Sequence, residues 1–400
     1  MEQFLRKKYA SNPQEYLQKG SKFWKNQLVP QVNTPYQMID EPIVENINLE
    51  KFKFIPNKQQ DLPKNFKWIN FDIKKEEDCN KIAEFLKNNY FVDERYNFCY
   101  DIKPAFLEWY YSGPYYDKEL LIGVETQDTN YLVGYIGATI KKVKINKKTF
   151  VLPEVNFLCV IRKLWEKGLS TVLIKEMAQT CLKKGYTQAI YKESIYVPKP
   201  IAITKQYYRA INIKKLLDIG FTKLNGKTTL QDLERVYSLP KKTTSIFKEL
   251  TESMLDICHE KLNSYLTKYN YYDIFSLEEF KQKFYNNNFV KTYVLIENDE
   301  IKDMISYLNL DYNITKEDRN IKTAYLYYYT STNETPYILI KNLLILLKNE
   351  NYDLLVGQTI MENKDILMDL NFEEGSYINY HFYNWNCKPL LEKQIGKIIL

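Results

Sequence analysis

Histidine is scarce in this chain: 400 residues hold two, His259 and His381, far apart and in no HExxH pattern. That argues against a histidine-based triad and a zinc site, and leaves each histidine as a structural residue. Neither GxxxxGK[ST] nor GxGxxG occurs, which sets aside a Walker loop and a dinucleotide fingerprint. The six cysteines, at 79, 99, 159, 181, 258 and 387, form no CxxC pair and no metal spacing. They read as reduced intracellular thiols. The longest apolar run, Tyr337 to Leu347, contains Lys341 and Asn342. It falls short of the ~20 residues a transmembrane helix needs. The N-terminus, Met-Glu-Gln-Phe-Leu-Arg-Lys-Lys, lacks the apolar core of a signal peptide, so a cytoplasmic protein is expected.

What is present is a soluble composition, 45% apolar, with a net charge of +6 that is modest for this length. No polyanionic partner is required by it. Thirty-five tyrosines and twenty phenylalanines among lysines suggest single-strand nucleic acid contacts. The enrichment runs along the whole chain, however, which reads as compositional bias, and no nucleic-acid partner is expected. A monomer is expected.

Prolines at 13, 30, 35, 42, 56 and 63 break up residues 1–66. Within that arm Lys22-Phe-Trp-Lys-Asn-Gln-Leu-Val-Pro30 carries two bulky aromatics, to dock on the domain or on an apolar ligand. The pattern then predicts a helix over 76–88, strands over 120–126, 131–140 and 142–151, and a buried strand over 154–160. A helix running to Gly185, a strand over 187–191 and a helix over 212–218 follow. Ser238-Leu-Pro-Lys-Lys-Thr-Thr-Ser245 reads as a linker. After it the order recurs: helices over 248–268 and 276–285, strands over 290–297, 301–310 and 321–330, a helix over 336–349, and strands over 352–360 and 376–385. A mixed α/β protein in two similar halves is expected, residues 1–237 and 238–400. The end, Ile395-Gly-Lys-Ile-Ile-Leu400, is apolar, which predicts a last strand whose terminal carboxylate is buried.

The central stretch is Glu154-Val-Asn-Phe-Leu-Cys-Val160, a short apolar strand, followed by a loop with Arg162, Lys163, Lys167, Gly168, Ser170 and Thr171. The next helix repeats apolar residues at Leu169, Leu173, Met177 and Cys181, with Ile174, Ala178 and Leu182 beside them. A strand feeding a basic loop at a helix N-terminus can cradle a pyrophosphate. An ordinary βα turn has the same form.

These and other residues resemble the glycylpeptide N-tetradecanoyltransferase (N-myristoyltransferase) family. The matching pieces are Lys22-Phe-Trp24 through Pro30, Leu62-Pro63 with Phe66 and Trp68, and Asn89-Tyr90 through Asp93, Phe98, Asp101 and Pro104 to Trp109. They continue with Glu154 to Val160, Leu173 to Glu176, Tyr191, Pro198-Lys-Pro200, Arg209, Asn212, Lys215-Leu216, Ser306, Ala324-Tyr325, Met361-Glu-Asn363, Tyr383-Asn-Trp385 and the apolar C-terminus. The resemblance runs from about Lys22 to Leu400. It implies two pseudo-symmetric acetyltransferase-like (GNAT-like) halves around a mixed sheet, the first for myristoyl-CoA and the second for peptide. It implies transfer of a C14 acyl group to an N-terminal glycine amine, with myristoyl-CoA as a substrate and no permanently bound cofactor or metal.

The resemblance also implies residue roles. The carboxylate of Leu400 is the candidate base, the backbone N–H groups of Phe157 and Leu158 the oxyanion hole, and Asn156 a positioning group. Lys22, Phe23 and Trp24 would close over the thioester end. Cys159, Val160, Lys167, Gly168, Leu169, Ser170 and Thr171 complete the expected acyl-CoA contacts. Asp93, Phe98, Tyr100, Tyr191, Lys192, Tyr208, Ser306 and Tyr325 are the expected peptide contacts. The chain departs from the pattern of the family in several places, Tyr208 and Val92 to Arg95 among them, and two bear most on specificity. The family's phosphate loop, Arg-Ser-Lys-Arg-Leu-Ala-Pro, is Trp165-Glu-Lys-Gly-Leu-Ser-Thr171 here, and its Tyr-Thr-Ala-Gly is Tyr191-Lys-Glu-Ser194. An acyltransferase of altered specificity, or a catalytically weak binding homologue, therefore stays open as an alternative.

Overall fold

The computed structural model describes residues 23–31, 35–36, 38–45, 59–90, 92–93, 98–194, 198–224, 226–314 and 319–399. Its first half opens with β1 (Phe66–Asn70), α1 (Glu76–Asn89), β2 (Val92–Asp93), β3 (Phe98–Tyr100) and α2 (Pro104–Tyr111). Three antiparallel strands follow: β4 (Leu121–Thr126), β5 (Leu132–Ile145) and β6 (Lys148–Val160). Helix α3 (Leu169–Lys183) carries the chain to β7 (Ala189–Glu193), parallel to β6. Then come β8 (Ala202–Ala210), α4 (Ile213–Asp218) and α5 (Leu230–Val236).

The second half repeats this order. It has β9 (Phe247–Glu249), α6 (Leu255–Leu266), β10 (Tyr271–Asp273) and α7 (Leu277–Phe284). The antiparallel set is β11 (Val290–Glu297), β12 (Glu300–Asn309) and, after the short β13 (Tyr312–Ile314) and β14 (Asn320–Ile321), β15 (Thr323–Tyr329). Helix α8 (Pro336–Asn349) crosses to β16 (Leu354–Gln358), parallel to β15, followed by α9 (Asn363–Asp369), β17 (Glu373–Tyr383) and β18 (Ile395–Gly396).

The main sheet is ordered β1-β4-β5-β6-β7-β17-β8-β16-β15-β12-β11-β9. That order reads alike from both ends, with a pseudo-two-fold between β17 and β8. Each half lends one strand to the other: β17 pairs with β7, and β8 with β16. The expected two pseudo-symmetric halves around a mixed sheet are present, joined by exchanged strands. One apolar cluster runs through both, from Phe71 and Tyr135 to Tyr328, Leu343 and Trp385.

Local chemistry explains the helices. α1 carries Glu76, Glu77 and Asp78 in its first turn and Lys87 in its last, both favourable to the helix dipole, and buries Ile82, Phe85 and Leu86. α8 starts at a Thr335 cap with Pro336 at the first helical position, and buries Leu339, Leu343 and Leu347.

Two sequence expectations need correction. A strand over 142–151 does not exist as a unit: β5 runs on to Ile145, the chain turns at Asn146 (φ 50°), and β6 starts at Lys148. The alternating pattern continues through the turn, and a left-handed Asn is its one marker. The helix expected over 248–268 begins with β9 and starts as a helix at Leu255. Pairing of Phe247–Glu249 with β11 outweighs their local preference. The expected final strand is also short, two residues beside β10, although Ile395 to Ile399 are all buried.

Candidate active site

Strands β6 and β7 pair at two positions, Glu154↔Ile190 and Val155↔Tyr191, and no ladder joins them beyond. On the other side β6 slips against β5. Gly137 faces Asn156 and Tyr135 faces Cys159, so Phe157 and Leu158 stand opposite Ile136 alone. This is a β-bulge, a device that re-aims backbone and often borders a site. Phe157 sits at φ 56°. A left-handed conformation costs a bulky residue about 1–2 kcal/mol, so the surroundings must hold it. Its ring packs on Tyr110 (centroids 5.2 Å), Tyr90 (5.3 Å) and Tyr111 (6.2 Å). The bare backbone of Gly137 lets the Tyr111–Tyr135 hydroxyl pair (3.0 Å) press against the strand.

A cavity of about 330 Å³ opens at this break. On one side it is walled by Ile174, Ala178 and Leu182 of α3, one helical stripe, with Met177 and Cys181 next to them. The other stripe of α3, led by Leu173, lies in the core, where Gly134 admits it: a Cβ there would lie 3.0 Å from Leu173. Toward the second half the wall is Tyr100, Ile102, Leu308, Tyr325 and Tyr377, and Ile398 and Ile399 close it beside the bulge. Tyr100 stacks on Tyr312 (5.0 Å), whose hydroxyl accepts from Tyr325 at 2.8 Å.

Trp24 from the N-terminal arm stacks on Tyr191 (6.0 Å, 9°), and Tyr191 stacks in turn on His381 (4.9 Å, 9°). Phe23 meets Trp24 edge-on at 4.9 Å. The Tyr191 hydroxyl is buried and has no hydrogen-bond partner among the described residues. Burial first, then Glu193, raises its pKa and keeps it protonated. An orphaned buried hydroxyl on a cavity wall is suited to a polar ligand group.

Polar order around the bulge starts at Asn156, 6% exposed, whose amide donates to the Tyr110 hydroxyl. Tyr110 donates to Glu154 Oε1 at 3.2 Å, and the other Glu154 oxygen meets Lys397. Lys397 also meets Asp273 at 2.9 Å, and all three charged groups are buried. Burial would raise the Glu154 pKa, but the Lys397 and Lys141 charges outweigh it and hold it below its ordinary value. For Asp273 burial wins over Lys397 and the pKa is raised. Sequence reading missed this network. Its signal was Lys397, a lone charge in an apolar terminal run.

Of the expected contacts, Trp24, Tyr100, Asn156, Phe157, Leu158, Tyr191, Lys192 and Tyr325 line the cavity. Others lie off it. The Cys159 and Val160 side chains are fully buried in the core. Ser306 spends its hydroxyl on the Tyr328 carbonyl at 2.7 Å, filling the bulge that β15 makes opposite it. Phe98 packs edge-on against Phe221 at 5.6 Å. Tyr208 donates to Gln206, itself a wall residue, at 3.0 Å. Asp93 is placed in β2, opposite Phe98. Lys22 and Leu400 lie outside the described residues.

The loop after β6 is a 3₁₀ turn, Arg162–Lys167, that ends in left-handed Gly168 (φ 81°) and passes into α3. Thr171 donates from both its hydroxyl (2.7 Å) and its N–H (3.1 Å) to the Gly168 carbonyl. Lys167 is exposed, while Leu169 joins the core and Ser170 is half-buried in the first turn. Trp165 donates to the Val160 carbonyl at 2.7 Å and packs on the same core, which explains an aromatic in a loop otherwise basic. Among the described residues no group of His, Cys, Asp and Glu could hold a metal. His259 accepts no such role; its Nε2 lies 2.8 Å from the Phe275 carbonyl.

A parted pair of parallel strands, a bulge and an apolar cavity between helix and sheet define a ligand-binding protein of mixed α/β fold, with room for a long apolar group. Comparison with known proteins narrows this. Residues 44–204 match the family "Myristoyl-CoA:protein N-myristoyltransferase, N-terminal domain", and residues 218–397 match its C-terminal domain. The chain is 34% identical to the glycylpeptide N-tetradecanoyltransferase of Plasmodium falciparum over 396 residues, covering 97% of this chain and 96% of that one. It is 32% identical to the probable enzyme of that name from Caenorhabditis elegans, covering 95% and 86%. In structure it is similar to Saccharomyces cerevisiae N-myristoyltransferase with bound myristoyl-CoA, at a TM-score of 0.89 and 26% identity, covering 96% of this chain and all of that one. The chain belongs to the N-myristoyltransferase family.

Proposed function

We propose that this cavity carries out the family's reaction, transfer of a C14 acyl group from myristoyl-CoA to the N-terminal glycine amine of a protein. The observation that carries the proposal is the meeting of the α3-lined apolar wall with the bulge at Asn156–Leu158. A long acyl chain needs such a wall, since each buried methylene contributes ~0.8 kcal/mol. Residues 1–237 are assigned to acyl-CoA and 238–400 chiefly to peptide.

The roles follow the chemistry. The thioester oxygen gains negative charge in the tetrahedral intermediate, and backbone N–H groups of Phe157 and Leu158 are assigned to receive it. Beside them β6 has no strand partner on the β7 side, which supports the assignment. The glycine ammonium, with an ordinary pKa of ~7.7–8.0, must lose a proton before it attacks. Leu400's carboxylate is assigned as base, with Asn156 and the Tyr191 hydroxyl holding the amine. Lys167 and the first turn of α3 are assigned to the CoA phosphates. Lys192 stands in the cavity wall and is assigned to acceptor choice. Six free, buried thiols support a reducing compartment, and we place the protein in the cytoplasm as a monomer without nucleic acid.

The test is incubation of purified protein with myristoyl-CoA and glycine-led peptides, read by mass spectrometry. Acylated peptide is expected, and a folded protein that yields none overturns the proposal. A residue added after Leu400 should abolish the reaction; retained rate removes Leu400 from the mechanism.

A further inference from the structure

Lys397 is the one charged residue in the buried segment 395–399 and is 1% exposed. An ammonium there is costly unless paired, and Lys397 is paired twice. One partner, Glu154, comes from β6 in the first half. The other, Asp273, comes from β10 in the second and lies 2.9 Å away. The rest of the segment is held by hydrogen bonds. The Tyr380 hydroxyl donates to the Lys397 carbonyl (3.1 Å), and the Ile398 N–H donates to the Tyr328 hydroxyl (3.0 Å). Tyr328 in turn donates to Asp273, and the Met361 N–H to the Ile395 carbonyl at 3.0 Å.

A buried ion set of this kind is poor evidence for stability, because apolar residues of the same volume do as well or better. Its direction matters more. From Asp273 the contacts run through Lys397 and Glu154 to Tyr110, and from there to Asn156, without a gap. The chain of contacts ends on the bulge, and the segment it grips supplies Ile398 and Ile399 to the cavity wall facing that bulge. Around it stand the Lys141–Glu279 pair (2.9 Å) and Lys283, which donates to the Trp109 and Tyr110 carbonyls.

We propose that Lys397 is a positioning residue for acyl transfer: shared between Glu154 and Asp273, its ammonium clasps segment 395–399 against the bulge and sets the spacing between the two halves of the reaction site. This rests on the acyl-transfer reading above. The clasp contacts neither the acyl wall of α3 nor the loop at Lys167. Its loss therefore lowers turnover more than it weakens acyl-CoA binding, to which the gripped segment adds only Ile398 and Ile399.

The experiment compares wild type with Lys397→Met, Asp273→Asn and the double variant. Lys397→Met leaves two buried carboxylates facing each other and should melt lower. The double variant removes one charge of each sign but leaves Glu154 buried without its ammonium, so it too should melt lower, by less than Lys397→Met, and its rates are read on the folded protein below that transition. Its kcat should still fall about 100-fold, the size of loss that a misplacement of about 1 Å produces. Its Kd for myristoyl-CoA should change by far less than kcat, and hydrogen exchange at 395–399 should be faster. A double variant with wild-type kcat overturns the proposal, as does a loss traced wholly to acyl-CoA affinity. Should the double variant not fold, Asp273→Asn, which keeps Lys397 on Glu154, carries the test. A lower kcat with faster exchange at 395–399 is expected, and wild-type kcat with wild-type exchange overturns the clasp. A wild type that acylates no peptide refutes the reaction instead. The clasp is then judged on exchange alone, and unaltered exchange in the double variant refutes it.

Discussion

Phe157 and Gly137 form one device. The left-handed Phe157 makes the bulge, and Gly137, opposite the neighbouring Asn156, gives the room in which Tyr111 and Tyr135 brace it. A Cβ at residue 137 would overlap the Tyr111 hydroxyl. Gly137→Ala should therefore destabilise the protein by about 1–3 kcal/mol, the usual cost of overpacking, seen as a lower urea midpoint. A midpoint equal to wild type would show that the ring pair yields without cost. Tyr191→Phe is the complementary case. Its hydroxyl has no partner among the described residues, so melting should not change, whereas kcat for peptide acylation should fall. Unchanged kcat would remove Tyr191 from amine positioning. At this scale the sequence already marked Asn156, Phe157, Leu158 and Tyr191, because a resemblance in order singles out residue types. It also marked Ser306, whose hydroxyl in the structure serves a bulge that only strand pairing creates.

Helix α3 is two-faced. One apolar stripe packs under the sheet and the adjoining one lines the cavity. Both stripes were legible as helical periodicity, but periodicity does not distinguish a wall of a cavity from a wall of the core. Ala178 is the narrowest residue on the cavity stripe. Ala178→Leu should shift acyl preference toward shorter chains, since excluding two methylenes costs about 1.6 kcal/mol. Competition between C14 and C12 acyl-CoA reads this directly, and an unshifted ratio would place the acyl chain elsewhere. The strand that follows α3 also shapes the site: β7 leaves β6 after Val155 while its other edge stays paired through Glu193 with β17, a strand of the opposite half.

Across the whole molecule, the exchanged strands β8 and β17 make each half complete the other's sheet. Charges at the edges of the second half set an acid limit. Glu350 and Glu362 would be raised by burial, yet both are held below their ordinary 4.5 by their hydrogen bonds. Glu350 accepts from Lys291 (2.9 Å) and Tyr307 (2.8 Å); Glu362 accepts from Lys268 (2.5 Å) and Tyr269 (2.6 Å). A carboxylate with a depressed folded pKa gives stability that is complete above its unfolded value and is lost as pH falls through the folded one. Melting temperature should thus hold above pH 4.5 and drop below it. Glu350→Gln should make the drop shallower; an identical pH profile would show that Glu350 contributes nothing to it.

By itself the sequence determined what local preference and residue order can carry: most helices, the repeated order of elements, the basic loop before α3, and the residues of the bulge by likeness to a family. Tertiary structure alone decided the rest. Which half owns β8 and β17, where β6 and β7 part, and why a lysine sits in an apolar terminus are all set by partners distant in the chain. Asp273 and Glu154 lie on strands 119 residues apart in number and meet only through Lys397. Such pairings follow from burial and charge in the folded state, and no local pattern records them.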